Sequence, residues 1–195
     1  MSEAYDYNPM PHKLDMQCPN CKAHASFEFG EVVKISLKKD IPFFQQSPLF
    51  EYMLLTDSCG HKWHGAFYFA GLHGGSVTSI SELPEGYRRN MWEHSQYKRS
   101  NHQLDIGSFS CSSCKSQKFH YLNWPEDAHF QIEYKGKILW AYNRESCREL
   151  QSFIASNDRK ENKYNWASFL LHIPSIFKSK KARELVSKKL TKALS

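Results

Sequence analysis

Four cysteines of the chain stand in two Cys-x-x-Cys pairs, Cys18/Cys21 and Cys111/Cys114. A two-residue spacer lets one turn present two thiolates to a single ion while backbone amides point at the sulfurs. Two such turns supply four sulfurs, the tetrahedral shell that suits Zn²⁺. A shell filled by protein is structural and closed to substrate. The spacing therefore predicts one metal site, Cys18, Cys21, Cys111 and Cys114, with Zn²⁺ as the cofactor. The competing chemistry is a redox dithiol, which belongs in a thioredoxin-like βαβ setting. Neither pair has one.

A second cluster lies in D57-S-C-G-H61-K-W-H64. Cys59, His61 and His64 are alternative metal ligands, able to complete the Cys18/Cys21 pair. Cys111/Cys114 would then recruit His120, His129 or Cys147 in a site of its own. The same Cys59/His61/His64 group, with His73 nearby, is where an enzyme would be centred, since a Cys/His pair can act as nucleophile and base. No catalytic signature supports that alternative. The chain lacks H-E-x-x-H. It also lacks the H-x-E and P-C-x-x-C halves of a zinc deaminase. No catalytic residue is assigned, and an enzyme is kept only as the minority reading. Cys147 falls on an apolar helical stripe and is read as a buried core thiol.

The elements that must position these residues follow from hydrophobic period. Residues 1–17 read as a flexible leader. Phe27, Phe29, Val33, Ile35 and Leu37 alternate with polar neighbours, which predicts one strand over 27–37. Strands are also expected at 50–55, 63–70 and 118–124. A hairpin over 130–142 is expected to turn at K135-G-K137. From Asn143, a plausible N-cap, the period becomes helical, with Cys147, Leu150, Phe153 and Ile154 on one stripe. A short helix over 164–172 and a terminal helix from about Ile176 follow. The apolar stripe of that last helix is Ala182, Leu185, Val186, Leu190 and Leu194. The expected fold class is α+β, mostly antiparallel sheet with a C-terminal helical region. The expected divisions are the leader 1–17, a zinc-knuckle β domain 18–142 and a helical region 143–195.

The two knuckles resemble each other. Each is followed by a lysine, Lys22 or Lys115, and then by a strand containing a phenylalanine, Phe27 or Phe119. At these residues the chain resembles the zinc-ribbon superfamily. The block from W124-P-E-D to W140-A-Y-N-R144 resembles uncharacterised bacterial zinc-knuckle proteins. The ribbon resemblance implies contact with nucleic acid or with other proteins. It covers only the knuckles and their flanking strands, and it departs from the usual pattern in one respect. The knuckles are separated by residues 22–110, 89 residues in all. Most of the sheet must then be inserted between the two halves of the site, which costs little loop entropy once the insert folds.

Charge narrows the partners. The formal net charge is +6. Residues 175–195 hold seven basic side chains against Glu184 alone, so the remaining 174 residues are neutral overall. Lys180, Lys181, Arg183, Lys188, Lys189 and Lys192 on the terminal helix are candidate phosphate contacts for nucleic acid. Aromatics interleaved with cations at Tyr87, Arg88, Arg89, Trp92, Tyr97, Lys98 and Arg99 are either a base-stacking surface or loop packing, and packing is favoured. No apolar run reaches membrane-span length, and the start lacks an apolar signal segment. Paired cysteines without a disulfide setting point to a cytoplasmic protein. The expected function is a zinc-stabilised binding protein associated with nucleic acid or a nucleoprotein complex, with a protein partner. An adaptor that contacts protein alone is the alternative.

Overall fold

The computed structural model describes residues 10–98, 105–160 and 163–195. Among the described residues the strands are β1 Lys13–Gln17, β2 His24–Phe29, β3 Glu31–Lys34, β4 Glu51–Thr56, β5 Lys62–Tyr68, β6 Glu93–His94, β7 Ile106–Ser110, β8 Gln117–Tyr121, β9 Phe130–Tyr134 and β10 Lys137–Ala141. The α-helices are α1 Ile41–Gln46, α2 Ala70–His73, α3 Arg144–Ala155, α4 Ala167–Leu171, α5 Ser175–Lys178 and α6 Lys180–Leu194. The fold class is α+β, as the sequence predicts. The strands form sheets in the orders β1-β2-β7-β8, β4-β5-β3-β6 and β10-β9. The chain divides into two compact units, residues 1–25 with 124–195, and residues 26–123.

In the unit of residues 26–123, the central strands β5 and β3 of the β4-β5-β3-β6 sheet are buried on both faces. One face carries Val33, Ile35, Ala66 and Tyr68 against Phe44, Phe50, Tyr87 and Trp92. The other carries Val32, Trp63 and Phe67 against Phe69 and Ile106. A strand buried on both sides loses its alternation, and β3 is such a strand. This corrects the single strand expected over 27–37. The chain breaks at Gly30, where a Cβ would stand 2.7 Å from the Phe69 ring. Phe27 and Phe29 belong to β2 in one sheet, Val33 to β3 in another, and Leu37 is exposed. Short 3₁₀ turns at Arg89–Met91 and Ser95–Lys98 flank β6. Tyr87 and Trp92 are buried in the core, so neither ring is available to stack a base. Arg99 lies outside the described residues.

In the other unit, β9 and β10 pair in register from Lys137↔Tyr134 to Ala141↔Phe130. Lys135 and Gly136 take positive φ, 52° and 70°, the left-handed pair that a two-residue hairpin turn requires. Helix α3 starts at its expected cap. The Asn143 side chain accepts the Ser146 N–H at 2.9 Å, and the Ser146 hydroxyl accepts the Asn143 N–H at 3.0 Å. Its stripe of Cys147, Leu150, Phe153 and Ile154 is buried, and α3 packs on α6 and β10. Strand β1 belongs here too. Asp15 N–H donates to the Tyr142 carbonyl at 2.8 Å and Gln17 N–H to that of Asp127 at 2.8 Å. Residues 13–17 are therefore ordered strand rather than leader, because Leu14 and Met16 are buried. In α6 the expected stripe holds for Ala182, Val186 and Leu190, whereas Leu185 is 48% exposed.

Candidate metal centre

The first knuckle lies between β1 and β2, the second between β7 and β8. Strands β2 and β7 are antiparallel neighbours, with Ser26 opposite Ser110 and Phe29 opposite Gly107. As β2 leaves its knuckle, β7 runs into its own, so both turns fall at the same end of the sheet. This register joins two motifs that are 89 residues apart in sequence.

The two turns have the same local build. The N–H of Cys18 donates to the Ala23 carbonyl at 2.7 Å, and that of Cys111 to the Ser116 carbonyl at 2.9 Å. Both span six residues, 18–23 and 111–116. The residue four beyond the first cysteine is left-handed in each, Lys22 at φ 61° and Lys115 at φ 57°. Positive φ is uncommon for a side chain with a Cβ. Here it reverses the chain so that the first cysteine's N–H meets a carbonyl. The sequence likeness of the knuckles, Lys22 and Lys115 included, is thus a backbone likeness as well.

Cys18, Cys21, Cys111 and Cys114 bring their sulfurs within 4.8 Å of one another. Four thiolates about 2.3 Å from a tetrahedral ion lie about 3.8 Å apart, so the observed spread needs only a small contraction to close on Zn²⁺. None of the six cysteines is held in a disulfide. In each knuckle the first cysteine is buried and the second exposed. The donor set is soft and charge-rich, which selects Zn²⁺ over the oxygen-seeking Mg²⁺ and Ca²⁺. No other group of three or more ligating side chains converges among the described residues.

The rival ligands are accounted for individually. Asp57 accepts the N–H of Cys59 and that of His61, each at 2.9 Å, with its Oδ1. These bonds, that from His61 foremost, hold its carboxyl below the usual carboxylate range. Gly60 turns the loop at φ 84°. Cys59 is exposed, and the His61 side chain is 82% exposed beside Asp57. His64 points elsewhere. Its Nδ1 lies 2.6 Å from the Tyr52 hydroxyl, with the two rings stacked. Cys59, His61 and His64 build a turn and a strand face rather than a convergent site. His73 lies against Tyr68, and His120 sits edge-on to Phe27 and Phe109. His129 meets His24 and Phe130. Cys147 is fully buried on α3, where burial pushes its thiol up to about 12.

The candidate phosphate contacts divide. Lys180, Lys181, Lys188 and Lys192 are exposed. Lys189 donates to the Glu133 carbonyl at 2.6 Å, and Arg183 donates to Asn157 Oδ1. No helix among the described residues is long and apolar enough to cross a membrane. Compared whole, the chain matches no protein-family model, no curated protein and no solved structure.

Proposed function

We propose that this is a zinc-stabilised binding protein whose terminal helix contacts the phosphate backbone of nucleic acid. The zinc part rests on the convergence of four cysteine sulfurs within 4.8 Å. Cys18, Cys21, Cys111 and Cys114 would fill the shell of one Zn²⁺, leaving no coordination position for a substrate. The ion's work is to tie the β1–β2 turn to the β7–β8 turn. The likeness of the two knuckles in sequence and backbone supports a zinc-ribbon-like site. A site without an open position gives the ion a structural role, and the Cys59/His61/His64 group does not converge on a second one. Cysteine pairs kept for a metal rather than a disulfide suit a cytoplasmic protein.

The nucleic-acid part rests on α6. Its buried stripe faces inward, and Lys181, Lys188 and Lys192 recur on the opposite face, all exposed. Three such contacts would give a salt slope of about −3 in log K against log salt. The test is fluorescence anisotropy with a random-sequence duplex and a random single strand at low and moderate salt. Lys181→Gln, Lys188→Gln and Lys192→Gln together should weaken binding at least tenfold and flatten the slope. No binding by the native chain at low salt would remove this reading.

A second reading, contact with protein alone, is favoured by β4. It ends the sheet order β4-β5-β3-β6, and Leu54 on it is 52% exposed. An apolar edge strand without lysine or proline is open to pairing with another chain. Leu54→Lys would abolish such a contact and leave nucleic-acid binding intact.

A further inference from the structure

The unit of residues 26–123 holds a pocket of about 230 Å³ that neither the cysteine site nor α6 involves. Val32, Trp63 and Met91 give it apolar walls, and Lys34, Lys62 and Glu93 bring charge to it. Its shape has a local cause. Lys34 pairs with Gly65 across β3 and β5. A Cβ on Gly65 would stand 3.0 Å from the tip of the Trp63 ring, so the missing side chain lets that ring lie close over the strand.

The charges in the lining are not equivalent. Asp57, also in the lining, is occupied by the N–H groups of its own turn. Among the described residues no hydrogen bond or ion pair engages the ammonium of Lys34 or of Lys62. Two uncommitted cations therefore line a cavity that Val32, Trp63 and Met91 make partly apolar and that Asp57, His61 and Glu93 complete. We infer that this pocket binds a small organic monocarboxylate, its carboxylate between Lys34 and Lys62 and its apolar body against Val32, Trp63 and Met91. Size and charge both restrict the class. The volume is below the roughly 300–1,000 Å³ of clefts that take drug-sized ligands, which argues against a nucleotide. Glu93 in the wall opposes a second negative charge, which argues against a phosphate dianion. The inference is independent of the zinc and nucleic-acid readings.

The test uses the full zinc-loaded chain and three probes: benzoate, its neutral analogue benzamide, and inorganic phosphate. Benzoate should shift the backbone amide resonances of Val32, Trp63 and Gly65 in a saturable way. Benzamide and phosphate should bind at least tenfold more weakly. Lys34→Gln with Lys62→Gln should weaken benzoate at least tenfold. Both positions lie on the surface, so the fold should survive, and Lys39→Gln serves as the matched surface control. The inference is overturned if benzoate leaves those amides unmoved, or if benzamide or phosphate binds as well as benzoate. It is equally overturned if the double variant, shown folded by its amide spectrum, binds benzoate unchanged.

Discussion

Two stretches of this chain carry ligand-type side chains at short spacing, and they behave in opposite ways. The knuckles at Cys18/Cys21 and Cys111/Cys114 are far apart in sequence, yet their sulfurs converge. Cys59, His61 and His64 are nearly adjacent in sequence, yet their side chains diverge. The difference lies in the backbone beneath them. Each knuckle is a closed turn whose left-handed lysine brings two cysteines to one side, and an antiparallel register sets one turn beside the other. The 57–64 stretch is a turn running into β5. Successive strand residues point to opposite faces, so Trp63 goes to one core and His64 meets Tyr52 on the other face. Nearness in sequence is therefore a poor guide to convergence when the residues straddle the start of a strand.

The largest expected effect is at the knuckles. Cys114→Ser should abolish zinc binding and destabilise the β1-β2-β7-β8 sheet by several kcal/mol, since structural zinc in small domains contributes roughly 10–16 kcal/mol of binding free energy. Metal analysis should fall from about one zinc per chain to none, and thermal unfolding should shift downward. A variant that keeps full thermal stability would sink the structural-zinc claim.

The next effect concerns the histidines beside the first knuckle hairpin. Burial, aided by the nearby His24, pushes His129 below the ordinary imidazole value of 6.5. The unfolded chain then binds a proton more readily than the folded one. The stability His129 contributes is present above about pH 6.5 and is lost as pH falls through its depressed value. In zinc-loaded protein, chemical denaturation at pH 7.5 and pH 5.5 should show this loss, and His129→Gln should reduce it. An unchanged pH dependence in that variant would assign the acid sensitivity elsewhere.

Smaller again is His64→Ala. Losing the Tyr52 partner at 2.6 Å should cost about 1 kcal/mol with zinc content unaltered. A drop in zinc would overturn the division between the two regions. Cys59→Ser should change neither stability nor metal content measurably. The thiols themselves should differ. Exposed Cys59 should react with a thiol reagent in the native state, whereas buried Cys147, held up to about 12, should react only on unfolding. That same shift lowers stability as pH rises above the thiol's ordinary 9.0, because only the unfolded chain ionises there.

Much of the local structure was legible in the sequence. The Asn143 cap, the α3 stripe and the turn at Lys135-Gly136 depend on neighbours three or four residues away, and periodicity reports those directly. So do the two knuckles, each complete within six residues. Two expectations failed, one of them where burial came from both sides. Val32 and Val33 are both buried, so the alternation over 27–37 concealed a break at Gly30. Leu185 fitted the α6 stripe by residue type but lies on its solvent side. The pocket at Lys34 and Lys62 carried no motif, because its walls come from separate strands and a turn.

Two Cys-x-x-Cys turns and a soft donor set were determined by the sequence alone, since a knuckle is local chemistry. Which cysteines share one ion was decided only by the tertiary structure. That choice depends on strand order and register. The pairing of β2 with β7 places Ser26 opposite Ser110, and it arises from side chains packing across the whole sheet.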